Sequence, residues 1–337
     1  MSKHNLGQFY STNVDHILDR MVIPEGSAVI EPFAGNMDLV GWSKLNNVEM
    51  FDIAPLHDCI TRRDTLLDPP EYDGKFVLTN PPYRSRANNP DKTIYEKYEV
   101  IDLFYAFLSS IRNACGGIII LPLIFFTAQK KMFAKGRDDF MSRFKITRVN
   151  YFEEPVFDDT TTTIVSIQFV KNNEPLVEQT IDWHIYGNGQ KITRTFIHEK
   201  KDSWLVGGYM FKLPLHPDIK ISRHRPNTPP TQFLSHMTLR ALDYRGSPIN
   251  MKYIDDLSHK SKGSPGAFHT FEFNREFSSE QQKKIVEAFN KFLTEKRELH
   301  HSLFMAMYRE RTRRRLCLTL ALRILSHVLL LNPELCA

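Results

Sequence analysis

The sequence predicts an α/β fold on a mostly parallel sheet, followed by a smaller region of different character. Three observations lead there. Short, wholly apolar runs alternate with helical patterns through the first half of the chain. The chemically unusual residues all fall where those runs stop. From about Asn172 onward the chain turns polar, with shorter apolar runs and turn sequences such as "GNGQ" and "GGY". A chain of 337 residues, 42% hydrophobic and 25% charged, has ample material for a core of this size.

The elements follow in order. "SAVIEPFAG" (27–35) reads as a strand and turn, and "NMDLVGWSKLN" (36–46) as a helix with Leu39, Val40 and Trp42–Leu45 on one side. "VEMFDIA" (48–54) is a second strand ending in an acid, and "KFVLTN" (75–80) a third. The amphipathic "YEVIDLFYAFLSSIRNA" (98–114) leads into a fourth, "GGIIILPL" (116–123). "KITRVNYFEE" (145–154) and "TTTTIVSIQFVKN" (160–172) complete the set. Ligands of open parallel sheets bind outside the carboxyl ends of the strands, which directs attention to those ends.

The third strand runs into Asn80-Pro81-Pro82-Tyr83. Two prolines in succession cannot donate to a ladder, so the strand stops and a stiff turn follows. An amide precedes that turn and a phenol follows it. A purely structural Pro-Pro turn requires neither. Glu31 closes the first strand, ahead of Phe33 and a turn with a single glycine, Gly35. An acid there attracts a cationic ligand, and the glycine lets the backbone approach a small molecule; an ordinary strand–helix turn fits as well. Asp52, followed by Ile53, ends the next strand about twenty residues on, a placement suited to ribose hydroxyls and equally to a helix N-cap. Asp64-Thr65 stands in a turn that can receive an amine or simply face water.

In order and spacing these segments resemble an S-adenosylmethionine-dependent DNA adenine-N6 methyltransferase of the gamma arrangement, as in the TaqI-like type II modification enzymes. "GQFYST" (7–12), with Tyr10 and Thr12, is similar to that family's N-terminal cofactor motif. "VIEPFAGN" resembles its cofactor loop, "MFDI" its ribose-binding acid, "RDTLL" its adenine turn and "LTNPPY" its catalytic motif. "EEPVFDDTTTTIVSIQFVK" (153–171) is similar to the segment whose aromatic, here Phe157, packs on an extruded base. The match covers about residues 5 to 171, and the loop departs from the family pattern in carrying only Gly35.

The resemblance implies a Rossmann-like class I methyltransferase domain over 1–171, doubly wound, with S-adenosyl-L-methionine as cofactor. It further implies a C-terminal target recognition (DNA-binding) region, expected over 172–278, and the remaining 279–337 reads as a helical segment. Cofactor contacts are expected from Tyr10, Thr12, Glu31, Phe33, Gly35, Asp52, Ile53, Asp64, Thr65 and Asn80. Catalysis is expected at Asn80, Pro81, Pro82 and Tyr83. The Asn80 oxygen and, by family precedent, the Pro81 carbonyl accept the two hydrogens of an adenine amine; Tyr83 and Phe157 stack on the base. Without the resemblance Phe157 reads as a core aromatic. The expected partners are double-stranded DNA and a cognate restriction endonuclease acting on the same site, with the chain itself a monomer.

Two rival activities remain at this level: an N-P-P-Y methyltransferase acting on RNA or on release-factor glutamine, and a catalytically silent module that reads DNA. The net charge of +5 permits a polyanionic partner without requiring one. "KISRHRPNTPPTQF" (220–233), with Arg223 and Arg225, and "HKSKGSPGAFHTFEF" (259–273), with Lys260 and Lys262, read as loops for phosphate contact or as solvated basic loops. The stretch 278–315 reads as one long helix or two, with Ser279 as N-cap and Gln282 completing a capping box. "RERTRRR" (309–315) is a basic face, for solvent or DNA. The apolar run 316–331 carries Arg323 and His327 and is too short to span a bilayer. Four scattered cysteines and an N-terminus without an apolar core lead to the expectation of a cytoplasmic or nucleoid-associated protein without a metal site.

Overall fold

The structure is a computed structural model that describes residues 13–157, 162–225, 228–244, 246–255, 268–308 and 310–336. It divides into two compact units, Met1–Leu205 and Val206–Ala337.

The first unit is α/β. After a short helix α1 (Val14–Ile17), strand β1 (Val29–Glu31) leads to helix α2 (Asp38–Ser43), β2 (Val48–Asp52) and β3 (Thr61–Arg62). Strand β4 (Phe76–Thr79) follows, with helices α3 (Thr93–Lys97) and α4 (Leu103–Ser110) before β5 (Gly116–Pro122). Helices α5 (Ile124–Thr127) and α6 (Lys131–Met141) precede β6 (Phe144–Phe152), β7 (Ile164–Lys171), β8 (Glu178–Gly187) and β9 (Gln190–Glu199). All nine strands form one sheet in the order β3-β2-β1-β4-β5-β7-β6-β8-β9. Five of its eight pairings are parallel. β7 returns antiparallel between β5 and β6, and β9 antiparallel on β8.

The apolar runs become strands because each is buried on both sides: every residue of β1, β4 and β5 is buried. At Gly117 an added Cβ would lie 2.5 Å from the Val77 carbonyl oxygen, so neighbouring strands there tolerate no side chain. The strand order reverses between β1 and β4, and this is the switch point at which a doubly wound sheet opens a ligand crevice. The N-terminal segment is tied down from across the sheet. Buried Asn150 donates to the carbonyls of Ile17 and Asp19, and Ser166 donates to that of Ile17.

The sequence predicts a first domain ending at residue 171. The sheet runs on through β8 and β9, because β8 pairs in parallel with β6 over Val149–Phe152 and the hairpin with β9 follows it. The compact unit therefore closes at Leu205, and 206–337 forms the second, in place of a division at 278. Nothing in the alternating pattern of 178–199 distinguishes an edge hairpin of the first sheet from a strand of a new domain.

The second unit is a four-stranded sheet, β10-β13-β11-β12, made of β10 (Ile221–Arg223), β11 (Phe233–Arg240), β12 (Asn250–Tyr253) and β13 (Phe268–Phe273), all antiparallel. Helix α7 (Ser279–Leu299) buries Gln282, Ile285, Phe289 and Leu293 at spacings of three and four, one stripe of a helix. Its N-cap is Ser278, one residue earlier than expected. The Ser278 hydroxyl accepts from Gln281 N at 3.2 Å, and Gln281 Oε1 accepts from Ser278 N at 2.8 Å. Gln282 faces inward instead and joins His236 N to the Phe277 carbonyl.

Two further expectations are corrected. The basic 309–315 run lies mostly in a strand: β14 (Ala306–Tyr308) pairs antiparallel with β15 (Glu310–Arg315), and helix α7 has ended at Leu299. The segment 220–233 is not all loop, since its start pairs with β13. The apolar tail forms helix α8 (Leu318–Leu331), whose Leu320, Ile324, Leu325 and Val328 are buried in the core of the second unit. Burial at roughly 1.5–3 kcal/mol per aliphatic side chain accounts for the composition of this tail. Among the described residues, no helix is long and apolar enough to cross a membrane.

Candidate active site at the sheet switch point

Strands β1 and β4, which flank the switch point, end in Glu31 and in Thr79 followed by Asn80, and β2, beside β1, ends in Asp52. Side-chain-to-backbone bonds lock these ends together. Asp52 Oδ2 accepts from Gly35 N at 2.9 Å and its Oδ1 from Ala54 N at 2.8 Å. Ala34 N donates to the Phe51 carbonyl at 2.8 Å, so the glycine turn is anchored twice to β2. Gly35 has φ +50°, the left-handed region where a glycine is favoured. Thr65 is buried and its hydroxyl donates to the Pro32 carbonyl at 3.0 Å, joining the adenine-turn segment to the glycine loop. Asp64 Oδ1 accepts from Leu66 N and Leu67 N, both at 3.1 Å, and caps its own turn.

Glu31 is the electrostatic anomaly. It is 1% exposed. Its Oε1 accepts from the Thr79 hydroxyl at 2.5 Å and from Phe33 N at 3.3 Å, while Oε2 is buried with no hydrogen-bond partner. Burial pushes its pKa up to about 8, with the nearby Asp52 charge adding to the rise against the Thr79 and Phe33 bonds. Among the described residues no cationic side chain is bonded to it, and a buried carboxyl of this kind, once ionised, is suited to receive a cation.

Pro81 and Pro82 are buried and Asn80 is half-buried at the end of β4. The Tyr83 ring is half-buried and its hydroxyl end enclosed. The hydroxyl lies 2.5 Å from Asn80 Oδ1 and 2.8 Å from the carbonyl oxygen of Ile120 on β5. Burial pushes the phenol well above its ordinary pKa, so it stays protonated. Phe104 meets the Tyr83 ring edge-on at 6.4 Å.

The structure thus gathers Glu31, Phe33, Gly35, Asp52, Asp64, Thr65 and Asn80–Tyr83 around the strand ends. Phe33 is half-buried against Phe107 and Ile53 is exposed. Phe157 is 3% exposed and belongs to the core cluster against which Tyr83 packs. It stands as a core aromatic, with no open face for a base in this conformation. Tyr10, Thr12, Lys260 and Lys262 lie outside the described residues. In the second unit Arg223 sits on β10 opposite Phe271, and Arg225 is exposed beyond the strand. Among the described residues no cluster of three or more His, Cys, Asp or Glu side chains is arranged to hold a metal ion.

Sequence reasoning missed two residues. Thr79 is a fully buried hydroxyl at the last position of an apolar strand, and that incongruity was its signal. Asp102, at the N-cap of α4, accepts from Arg84 N at 3.2 Å, and Arg86 N and Leu103 N complete the join between 84–86 and 101–103. Burial pushes its carboxyl up to about 7, against opposing backbone N–H groups of Phe104, Arg84 and Leu103. It anchors the chain that leaves Tyr83. No local pattern distinguishes this from any other N-cap aspartate.

No protein-family model matches the sequence, and no curated protein matches it. Among solved structures, the chain is similar to a protein described as the modification subunit of a type I restriction enzyme, from Vibrio vulnificus YJ016. The identity is 15%, covering 55% of this chain and 49% of that one, with a TM-score of 0.42. It is similar to a type I restriction-modification methyltransferase subunit from Streptococcus thermophilus at 12% identity, over 60% of this chain and 59% of that one, TM-score 0.41. It is also similar to the M protein of the type I restriction enzyme EcoKI at 14% identity, over 51% and 47%, TM-score 0.38. The chain spans about half the length of these proteins.

Proposed function

We propose that this chain is a DNA methyltransferase that transfers a methyl group from S-adenosyl-L-methionine to the N6 amine of an adenine in duplex DNA, as the modification enzyme of a type II restriction–modification system. The observation that carries the reading is Asn80: an amide oxygen held at the end of a buried strand, beside the switch point, with two buried prolines behind it. An exocyclic adenine amine is a weak nucleophile because its lone pair is delocalised into the ring. Acceptors fixed in advance on its two hydrogens favour a tetrahedral nitrogen and stabilise the positive charge that develops there. Asn80 Oδ1 is one such acceptor and the Pro81 carbonyl the other.

The cofactor fits the residues present. Glu31 Oε2, buried and without a hydrogen-bond partner, suits a cationic amino group, and the Gly35 turn allows close backbone approach. Asp52, after exchanging a backbone N–H, is assigned to the ribose hydroxyls and Asp64-Thr65 to the adenine amine. Bound S-adenosylmethionine supplies an electrophilic sulfonium methyl. The base must leave the helix to reach Asn80, at a cost of a few kcal/mol that stacking on an aromatic ring offsets by ~1–3 kcal/mol. Tyr83 is the ring available for this; Phe157 would first have to turn out of the core. Duplex recognition is assigned to the second unit, where Arg225 is exposed.

The test is direct. Labelled S-adenosylmethionine and mixed-sequence duplex DNA should give label on adenine N6. Absence of label on adenine, from folded chain that binds the cofactor, overturns the assignment, and transfer to RNA or release factor instead would identify the rival substrate.

A further inference from the structure

The Tyr83 hydroxyl has a place in the site that stacking does not explain. A phenylalanine ring would offer a base the same π-face. Here the phenol oxygen sits 2.5 Å from Asn80 Oδ1 and 2.8 Å from the Ile120 carbonyl oxygen. Both are acceptors, and a phenol carries one proton that rotates about the Cζ–O bond. Ile120 is fully buried on β5, whose neighbouring residue Ile119 pairs with Thr79 on β4, while Ile120 itself pairs with Ser166 on β7. Its carbonyl is therefore a fixed reference point in the sheet. Pro81 and Pro82 set the turn that brings residues 80 and 83 together.

We propose that Tyr83 is a positioning residue, whose hydroxyl orients the Asn80 amide oxygen before the substrate amine arrives. Before the amine arrives it donates its proton to Asn80 Oδ1. When a substrate amine hydrogen arrives, the hydroxyl turns to the Ile120 carbonyl, so the phenol exchanges one hydrogen bond for another. An amide oxygen has two acceptor sites, so it can begin to receive the amine before the phenol lets go. The amide is thereby held in one orientation against the twofold flip otherwise open to an asparagine. Burial keeps the phenol protonated throughout the working pH range.

This inference rests on the amine chemistry proposed above. Its test is Tyr83→Phe in the full chain, which keeps the ring and removes the hydroxyl. Melting temperature, cofactor affinity and the fluorescence of a 2-aminopurine placed at the methylated position should match wild type. The single-turnover methylation rate should fall roughly tenfold, less than for loss of a direct charge-stabilising contact. The side-chain ¹⁵N–¹H signals of Asn80, assigned by their loss in Asn80→Ala, should shift in Tyr83→Phe without any DNA present. A wild-type rate in the variant, or unmoved Asn80 signals, overturns the proposal. If the wild-type chain leaves adenine unlabelled, the functional reading fails separately, and the Asn80 signals still decide whether the hydroxyl holds the amide.

Discussion

Glu31 in the first unit and Asp243 in the second are both largely buried acids, and they are treated in opposite ways. Asp243 meets Arg297 through two parallel bonds of 2.9 Å, and accepts in addition from Ile249 N at 2.8 Å and Arg314 N at 3.2 Å. Each of its oxygens is answered, by a cation and by backbone. Glu31 has a hydroxyl and one backbone N–H on a single oxygen and nothing on the other. A buried acid with every lone pair matched is architecture, since a bidentate arginine neutralises the charge in place. A buried acid with a lone pair left open calls for an explanation, which the proposed function supplies as a cationic ligand. At the switch point of the first unit the strand ends are tied to one another by side chains: Asp52 to Gly35, Thr65 to Pro32 and Thr79 to Glu31.

Substitutions can break or sharpen this contrast. The largest effect is expected within the crevice: Asn80→Ala should lower the single-turnover rate by roughly a hundredfold to a thousandfold, as for loss of one fixed charge-stabilising contact. Cofactor and DNA affinity should be retained, which equilibrium titration checks. On the closed side, Asp243→Ala should cost about 2–3 kcal/mol of unfolding free energy by leaving Arg297 without its partner, a value discounted for partial exposure. Denaturant melts would measure it, and a change below about 0.5 kcal/mol would remove Asp243 from the structural class.

The open acid should respond to pH instead. The folded chain holds the Glu31 proton from its ordinary 4.5 to about 8 while the unfolded chain releases it. Its contribution to stability is therefore full below pH 4.5 and is lost as pH rises through 8. A cationic ligand requires the ionised form, so affinity for S-adenosylmethionine should rise with pH between 6 and 8, by at most about tenfold per unit, with proton release seen by calorimetry in buffers of different ionisation enthalpy. Glu31→Gln should flatten that slope and raise the unfolding free energy at pH 7, because the amide folds without taking up the proton that the carboxyl must bind there. A wild-type slope in the variant would put the proton elsewhere. The smallest effect is expected at Thr65→Val, where loss of the bond to the Pro32 carbonyl should cost about 1 kcal/mol and weaken cofactor binding only slightly.

Much of the first unit was legible because its strands are continuous apolar runs with punctuation at both ends. β1, β2, β4, β5, β6 and β7 each fall within or one residue from the segment read for them. β3, two exposed residues long, and the β8–β9 hairpin were not, because short or alternating strands take their partners from the sheet. The 309–315 stretch misled for a related reason. Arginines favour a helix in isolation, and pairing with β14 overrides that weak preference.

The sequence alone determined the α/β character of the first unit, the abrupt halt of β4 at two prolines, and the apolar stripe of α7. Backbone restriction and hydrophobic periodicity are properties of neighbouring residues. Only the tertiary structure decided that the Glu31 carboxyl lies buried with one oxygen open and that the Tyr83 hydroxyl spans from Asn80 to β5. It also decided that Phe157 rests in the core and that the sheet ends at β9. Each of these depends on groups tens of residues apart meeting in a dry interior, where desolvation and hydrogen-bond matching assign the role that residue type leaves open.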